Sequence, residues 1–204
     1  MKLIANVLRI LFCFMPVFSA YAQKAETPQI SDMKVGDSWE WAVLDPYSKA
    51  EQSRTILTIM NIDGVLKRTT VGSDHKFAVP LDKIISGEQK SVWGPWHVWP
   101  LEVGSKWRHE HEWTRTDGYV GINKQDAEVV AYEDITVPAG KFKAYKIEYH
   151  GYQTIYAGPT GGQGKLDVTY WYVPELLTDV KIMSSFRGKP GTLRELVGYK
   201  RVTP

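Results

Sequence analysis

The chain has 204 residues, and its 25 Lys and Arg against 23 Asp and Glu give a formal net charge of +2. This near balance excludes proteins that bind through a large charge excess, so we expect no nucleic-acid partner and no attraction to an anionic membrane surface. Aromatic residues make up 12% of the sequence and include eight Trp. Side chains of this size must lie either in a core or on a binding surface.

Residues 1–22 are predicted to be a secretory signal peptide. Lys2 and Arg9 flank or interrupt a short apolar run, and Ala20-Tyr21-Ala22 forms an A-x-A cleavage site. The apolar run is short for a membrane span. We therefore expect a periplasmic or secreted protein with no membrane span after cleavage.

Cys13 is the only cysteine, and it lies within the predicted signal peptide. Phe12 directly before it is not the small residue that a lipoprotein signal places there, so lipidation is not expected. The mature chain then has neither a disulfide nor a thiolate. Such a domain must be stabilised by its core, and about 180 residues are enough for one.

Residues 23–32 are polar, and we expect a flexible lead there. Residues 33–204 are predicted to form a single β-domain. Its first strand carries Trp39, Trp41 and Val43 on one face, because side chains alternate along a strand.

The next two predicted strands, 55–62 and 65–71, flank Asp63-Gly64, a dipeptide typical of hairpin turns. After them, Leu81, Ile84 and Ile85 have helical spacing, which fits a short helix or a turn equally well.

Residues 91–100 contain Trp93, Trp96 and Trp99 at intervals of three, together with two prolines. Prolines at this density favour an extended, partly polyproline-like connection over a helix. The strand after it, 107–114, places Trp107, His109, His111 and Trp113 on one face.

Residues 129–149 predict a β-hairpin at the centre of an antiparallel sheet. Pro138 cannot donate to a ladder and Gly140 permits positive φ, so both belong at the tip. On the first strand, Val129 and Ala131 are predicted to share a face. On the return strand, Tyr145 shares a face with Ile147 and Tyr149.

Further strands are predicted at 167–173, 180–186 and 192–201. Strands recur at the spacing of a β-sandwich or barrel, and no long amphipathic helix is present. The sequence therefore predicts an all-β, mainly antiparallel fold.

Several motifs occur in a fixed order along the chain. They are Trp99-Pro100-Leu101 with Val103-Gly104 and Trp107, Val137-Pro138-Ala139-Gly140 with Phe142, Tyr170-Trp171-Tyr172 with Pro174, and Glu195-Leu196. In this order they resemble a family of uncharacterised exported bacterial proteins, a domain of unknown function.

That family resembles in fold the curved sheets of Lol-type lipoprotein carriers. The resemblance implies an open or half-closed β-barrel with an apolar interior. Together with the strand pattern it predicts a curved sheet or incomplete β-barrel with at most one short helix. It supplies no catalytic residues, and the long helix that plugs such a sheet has no counterpart in this sequence.

Seven aromatic residues are candidates for binding an apolar ligand. They are Trp93, Trp96, Trp99, Trp39, Trp41, Tyr170 and Tyr172. A core role is favoured for Trp39 and Trp41 and a structural role for the two tyrosines, whereas the proline-flanked Trp residues fit either role.

His109 and His111 are weak candidates for a metal site, because two imidazoles on one strand face need a third ligand, from His97 or His150. Packing between Trp107 and Trp113 is the favoured alternative. We therefore expect no metal and no cofactor.

The favoured function is non-enzymatic binding of an apolar or amphipathic ligand, such as a lipid, on the concave face of the sheet. The alternative is a module that binds an envelope protein through a sheet edge or an aromatic loop. A hydrolase is the least favoured. Its carboxylate pair would come from Glu133, Asp134, Glu148, Asp167 and Glu175.

Overall fold

The computed structural model describes residues 24–72, 76–81, 97–115 and 117–202. Within these ranges the chain forms twelve β-strands and two three-residue 3₁₀ segments, at Ile30–Asp32 and Pro174–Leu176. The strands are β1 (Lys24–Ala25), β2 (Ser38–Leu44), β3 (Glu51–Ile62), β4 (Val65–Gly72), β5 (Lys76–Pro80), β6 (Leu101–Glu102), β7 (Lys106–Thr114), β8 (Val120–Val137), β9 (Gly140–Ala157), β10 (Gly162–Val173), β11 (Thr178–Phe186) and β12 (Lys189–Lys200).

Ten of these strands form one antiparallel sheet in the order β5-β4-β3-β2-β12-β11-β10-β9-β8-β7. Most neighbours in the sheet are also neighbours in sequence, as hairpin connections require. The exception is the β2–β12 pair, which joins the first long strand to the last. The sheet is curved and its two edge strands, β5 and β7, do not pair, so the predicted all-β curved sheet is confirmed.

The central hairpin turns at Pro138-Ala139, and its closing pair is Val137 and Gly140. Tyr145, Ile147 and Tyr149 are all fully buried on one face of β9, as the alternation predicts. The predicted common face for Val129 and Ala131 is wrong. The register shifts between these two residues, because one extra residue forms a β-bulge and reverses the side-chain alternation beyond it.

The buried side chains form two clusters. The first cluster lies on β8, β9 and β10, where Val129, Ile147, Tyr149 and Tyr170 contact one another. The second joins β2, β3 and β12 to the tip of the central hairpin. Its buried members are Trp39, Trp41, Ile59, Leu81, Val137, Ala144, Val173, Leu176, Val180 and Leu196.

The buried carboxylate of Asp37 fastens the start of β2 to the end of the domain. Its Oδ1 accepts from the amide of Val202 at 2.7 Å and its Oδ2 from the amide of Lys34 at 2.8 Å. Arg201 adds an ion pair at 3.1 Å. A buried carboxylate needs such partners, because an unpaired one would lose its solvation without compensation.

Residues 24–32, part of the expected flexible lead, contribute two pieces of regular structure. β1 pairs with β6, and Ala25 on β1 is buried against Leu101. Of the predicted short helix, Leu81 is helical and the residues that follow it lie outside the described ranges. In the part of the chain that the structure describes, no helix has the length and apolarity that crossing a membrane requires.

Gly151 marks a close approach between β8 and β9. A Cβ there would collide with the carbonyl oxygen of Lys124 and lie 2.7 Å from the Cα of Gln125. We expect Gly151→Ala to lower the free energy of unfolding by about 2 kcal/mol, because backbone atoms must move to make room. Urea unfolding followed by circular dichroism measures the change.

Gly198→Ala on β12 is the matched control, because its new Cβ would lie 3.5 Å from the nearest atom, Oε2 of Glu40. This variant should unfold within about 0.5 kcal/mol of the natural chain. Equal unfolding energies for the two variants would contradict the close approach.

Candidate functional site

Aromatic side chains surround His97 in the interior of the sheet. Ring centroids lie 5.4 Å away for Tyr170, 5.6 Å for Tyr172 and 6.3 Å for Trp99 and Tyr149. We call this group the His97 cluster. It brings together three of the seven predicted ligand-binding residues, Trp99, Tyr170 and Tyr172.

A chain of hydrogen bonds runs through the His97 cluster. His97 Nε2 lies 2.8 Å from Oδ1 of Asp179, and His97 Nδ1 lies 3.0 Å from the hydroxyl of Tyr149. Because a carboxylate only accepts, His97 donates from Nε2 to Asp179. This order resembles a catalytic relay, but Tyr149 is fully buried, so its hydroxyl has no access to a substrate in this conformation.

The tyrosines of the His97 cluster are neutral groups. Burial raises the pKa of Tyr149 and of Tyr170 well above the usual value, and the negative charge of Asp179 adds to the effect in both. Burial also raises the pKa of Tyr172. Tyr170 and Tyr172 therefore contribute ring packing as protonated phenols, with side chains almost wholly removed from solvent.

Trp39 and Trp41 lie in the second core cluster, each 3% exposed. Trp39 Nε1 donates to the carbonyl of Leu176 at 2.8 Å. The guanidinium of Arg194 lies over the Trp41 ring, 5.3 Å from its centroid. Trp99 packs edge-on against Tyr172 at 5.0 Å. Trp93 and Trp96 lie outside the described residues.

His109 and His111 stack on each other with ring centroids 6.0 Å apart, and His109 also contacts Tyr149 at 5.5 Å. Across residues 24–72, 76–81, 97–115 and 117–202, no three potential metal ligands come together. Burial lowers the pKa of His109 to about 4, with smaller contributions from the charges of His111 and His97. A buried neutral imidazole among aromatic rings fits the packing interpretation.

Two of the carboxylates considered for hydrolysis, Glu148 and Asp167, flank His150. His150 contacts Glu148 at 3.3 Å and Asp167 at 2.9 Å. Hydrogen bonds from Lys146 and then His150 lower the pKa of Glu148. Burial raises the pKa of Asp167, but hydrogen bonds from His150 and Lys165 outweigh it, so that pKa is lowered too. Carboxylates held as anions suit ion pairs better than the general acid of a glycosidase.

A small recess, with a cavity volume of about 20 Å³, opens to solvent beside Trp39. Most of its lining is apolar. The residues that line it are Met33, Trp39, Leu57, Ile59, Arg68, Leu81, Leu177 and Thr178. We call it the Arg68 recess, after the cation in its wall.

Arg68 was not among the residues singled out from the sequence. On β4 it is paired with Ile59 of β3, so both side chains point to the same face. The hairpin turn at Asp63-Gly64 could have predicted this pairing, because it sets the register that places Arg68 opposite Ile59, a buried position. Nothing in the composition or motifs of that segment pointed to a ligand.

The guanidinium of Arg68 is buried although the residue as a whole is half-buried. Its Nε is out of contact with solvent and has no hydrogen-bond partner among the described residues. Burial and, to a smaller extent, the like charge of Arg194 lower the pKa of Arg68 to about 10. Arg68 is therefore a cation at neutral pH in an environment that disfavours its charge.

No protein-family model matches the chain, and the comparison with curated proteins gives no significant match. Among solved structures, the chain is similar to a protein of Parabacteroides distasonis provisionally named a lipoprotein, at 13% identity and a TM-score of 0.50, over 82% of this chain and 96% of that one. It is also similar to a provisionally named exported protein of Bacteroides fragilis with a YmcC-like fold, at 11% identity and a TM-score of 0.48, over 88% of this chain and 100% of that one. At such identities the likeness concerns the fold alone.

The buried state of His109 predicts a loss of stability in acid. The folded protein has the lower pKa, about 4 against about 6.5 unfolded, so the unfolded chain binds the proton first as the pH falls. The free energy of unfolding should drop by roughly 3 kcal/mol between pH 7 and pH 4 on this account. The variant His109→Phe keeps a ring but cannot titrate. In urea unfolding at pH 7 and pH 4, we expect it to lack that part of the drop in the free energy of unfolding.

His150→Gln is the control for this measurement. Hydrogen bonding to Asp167 raises the pKa of His150 against the opposing effect of burial, so protonated His150 stabilises the fold in acid. Removing it should leave the acid-dependent drop intact or increase it. An identical drop in the natural chain and in His109→Phe would show that His109 is not buried as a neutral ring.

Proposed function

We propose that the protein is an exported, non-enzymatic domain that binds an apolar or amphipathic small molecule in the Arg68 recess. The observation that carries the proposal is the recess itself, a solvent-open concavity with Met33, Trp39 and Leu57 in its wall. Small-molecule sites are concave and mainly apolar, with a few polar groups that fix orientation. The signal-peptide layout of residues 1–22 supports export.

The Arg68 recess, rather than the His97 cluster, is the proposed site. Tyr170 and Tyr172 are 5% and 4% exposed and pack within the first core cluster. A ligand would have to displace other side chains of that cluster to reach them. A fully packed core resists such displacement. Trp39 is equally buried, at 3% exposure, but it lines the Arg68 recess together with the half-buried Met33 and Leu57. A ligand in the recess would therefore contact Met33 and Leu57 first and only the edge of Trp39.

The polar groups of the Arg68 recess favour binding over catalysis. They are the guanidinium of Arg68 and the hydroxyl of Thr178. The pKa of Arg68, about 10, leaves it protonated at neutral pH, so it can hold an anion but cannot act as a general base there. A hydroxyl acts as a nucleophile only beside a base.

Blocking the recess tests the proposal. Met33→Trp enlarges a half-buried side chain of the recess wall. The probe is N-phenyl-1-naphthylamine, a neutral apolar dye whose fluorescence rises on binding, with 1-dodecanol as competitor. We expect the natural chain to bind the dye and Met33→Trp to bind it at least tenfold more weakly, about 1.4 kcal/mol.

Met60→Trp is the matched control, because Met60 is 44% exposed on β3 and points to the opposite face from its neighbour Ile59. This variant should bind the dye as the natural chain does. Unchanged binding by Met33→Trp, with both variants folded by circular dichroism, would contradict the proposed site. Absence of dye binding by the natural chain would contradict the function.

A further inference from the structure

We propose that the Arg68 recess takes the anionic head group of its ligand, a carboxylate or a phosphate, on the guanidinium of Arg68. The apolar wall then takes the hydrocarbon next to that head group. The binding of hydrocarbon at the apolar wall rests on the proposed function. The binding of an anion is argued independently, from the position of Arg68.

Arg68 is held toward the interior by its strand register. Its partner on β3 is Ile59, which is fully buried, and its partner on β5 is Val79. Because directly opposite residues of an antiparallel pair share a face, the guanidinium lies on the face that carries Ile59. On that face, Arg68 lines the recess.

Within the described residues, no carboxylate forms an ion pair with Arg68, unlike Arg54 and Arg201. Arg54 on the neighbouring strand pairs with Glu40 at 2.7 Å and with Glu51 at 2.6 Å. Arg201 pairs with buried Asp37. For Arg68, no ion pair and no hydrogen bond joins it to any residue in the described ranges. A guanidinium presents five N–H donors in a planar fork, which matches the oxygens of a carboxylate or phosphate.

A second cation, Arg194, adds to the positive potential near the recess. It is 8% exposed and lies over the ring of Trp41 on the adjacent strand. Its like charge acts on Arg68 and lowers the pKa of that group. Two buried cations facing one interior repel each other, and an anion bound at Arg68 would relieve that repulsion.

Replacing an unpaired buried charge by an apolar side chain of similar length should stabilise the ligand-free protein. We therefore expect Arg68→Met to unfold at a higher temperature than the natural chain without ligand. Arg54→Met, which removes a half-exposed and doubly paired arginine, should unfold at the same temperature or lower.

Binding is measured with three probes: dodecanoate, 1-dodecanol and acetate. The natural chain and Arg54→Met should bind dodecanoate at least tenfold more tightly than 1-dodecanol. Arg68→Met should lose at least tenfold in affinity for dodecanoate and keep its affinity for 1-dodecanol. Arg68→Lys keeps the charge but not the planar fork, so it should retain part of the preference for dodecanoate.

The outcomes separate this inference from the proposed function. If 1-dodecanol binds but dodecanoate binds no better, the anion site is wrong and the apolar site stands. If acetate raises the unfolding temperature of the natural chain but not of Arg68→Met, while 1-dodecanol does not bind, the anion site stands and the proposed function is wrong. A lower unfolding temperature for ligand-free Arg68→Met would show that Arg68 is already paired within the chain, which overturns the inference.

Discussion

The ladder between β2 and β12 is the constraint on which the rest of the structure depends. It joins the hairpin strands β2–β5 to the strands β7–β12, from Leu193 opposite Leu44 to Lys200 opposite Ser38. Residues about 150 positions apart must meet before this ladder forms, so its loop-closure cost is high. The buried Asp37, which ties the start of β2 to Val202, stabilises the ladder at one end. Without this pairing, Arg194 would not reach Trp41 and the second core cluster would lack one wall.

Charged side chains have different environments on the two faces of the sheet. On the exposed side, pairs such as Arg54 with Glu40 gain little net stability, because water screens them. In the Arg68 recess the guanidinium loses solvation, and its Nε has no hydrogen-bond partner among the described residues. This buried group in the wall of an open recess is the basis of the proposed anion site.

Sequence alternation predicted most of the fold. The hairpin tip at Pro138-Ala139, the strand that carries Trp39 and Trp41, and the buried face of Tyr145 and Ile147 follow from local chemistry. The bulge beyond Val129 does not, because a register shift depends on the strand opposite. The recess was not predictable for the same reason: its wall combines β2, β3, β4 and the residues after the second 3₁₀ segment, and no local pattern joins them. Arg68 carried a signal only once its partner Ile59 was known to be buried.

Trp39 connects the core to the recess through one hydrogen bond. Its Nε1 donates to the carbonyl of Leu176, the last residue of the second 3₁₀ segment. The next residue, Leu177, has a left-handed backbone with φ of 54°, which costs a non-glycine residue about 1 kcal/mol. Leu177 and Thr178 line the recess together with Arg68. A conformation of this cost persists only when its surroundings hold it. The bond from a buried indole to the preceding carbonyl provides that support, so the shape of the recess is set by the core and does not depend on a ligand.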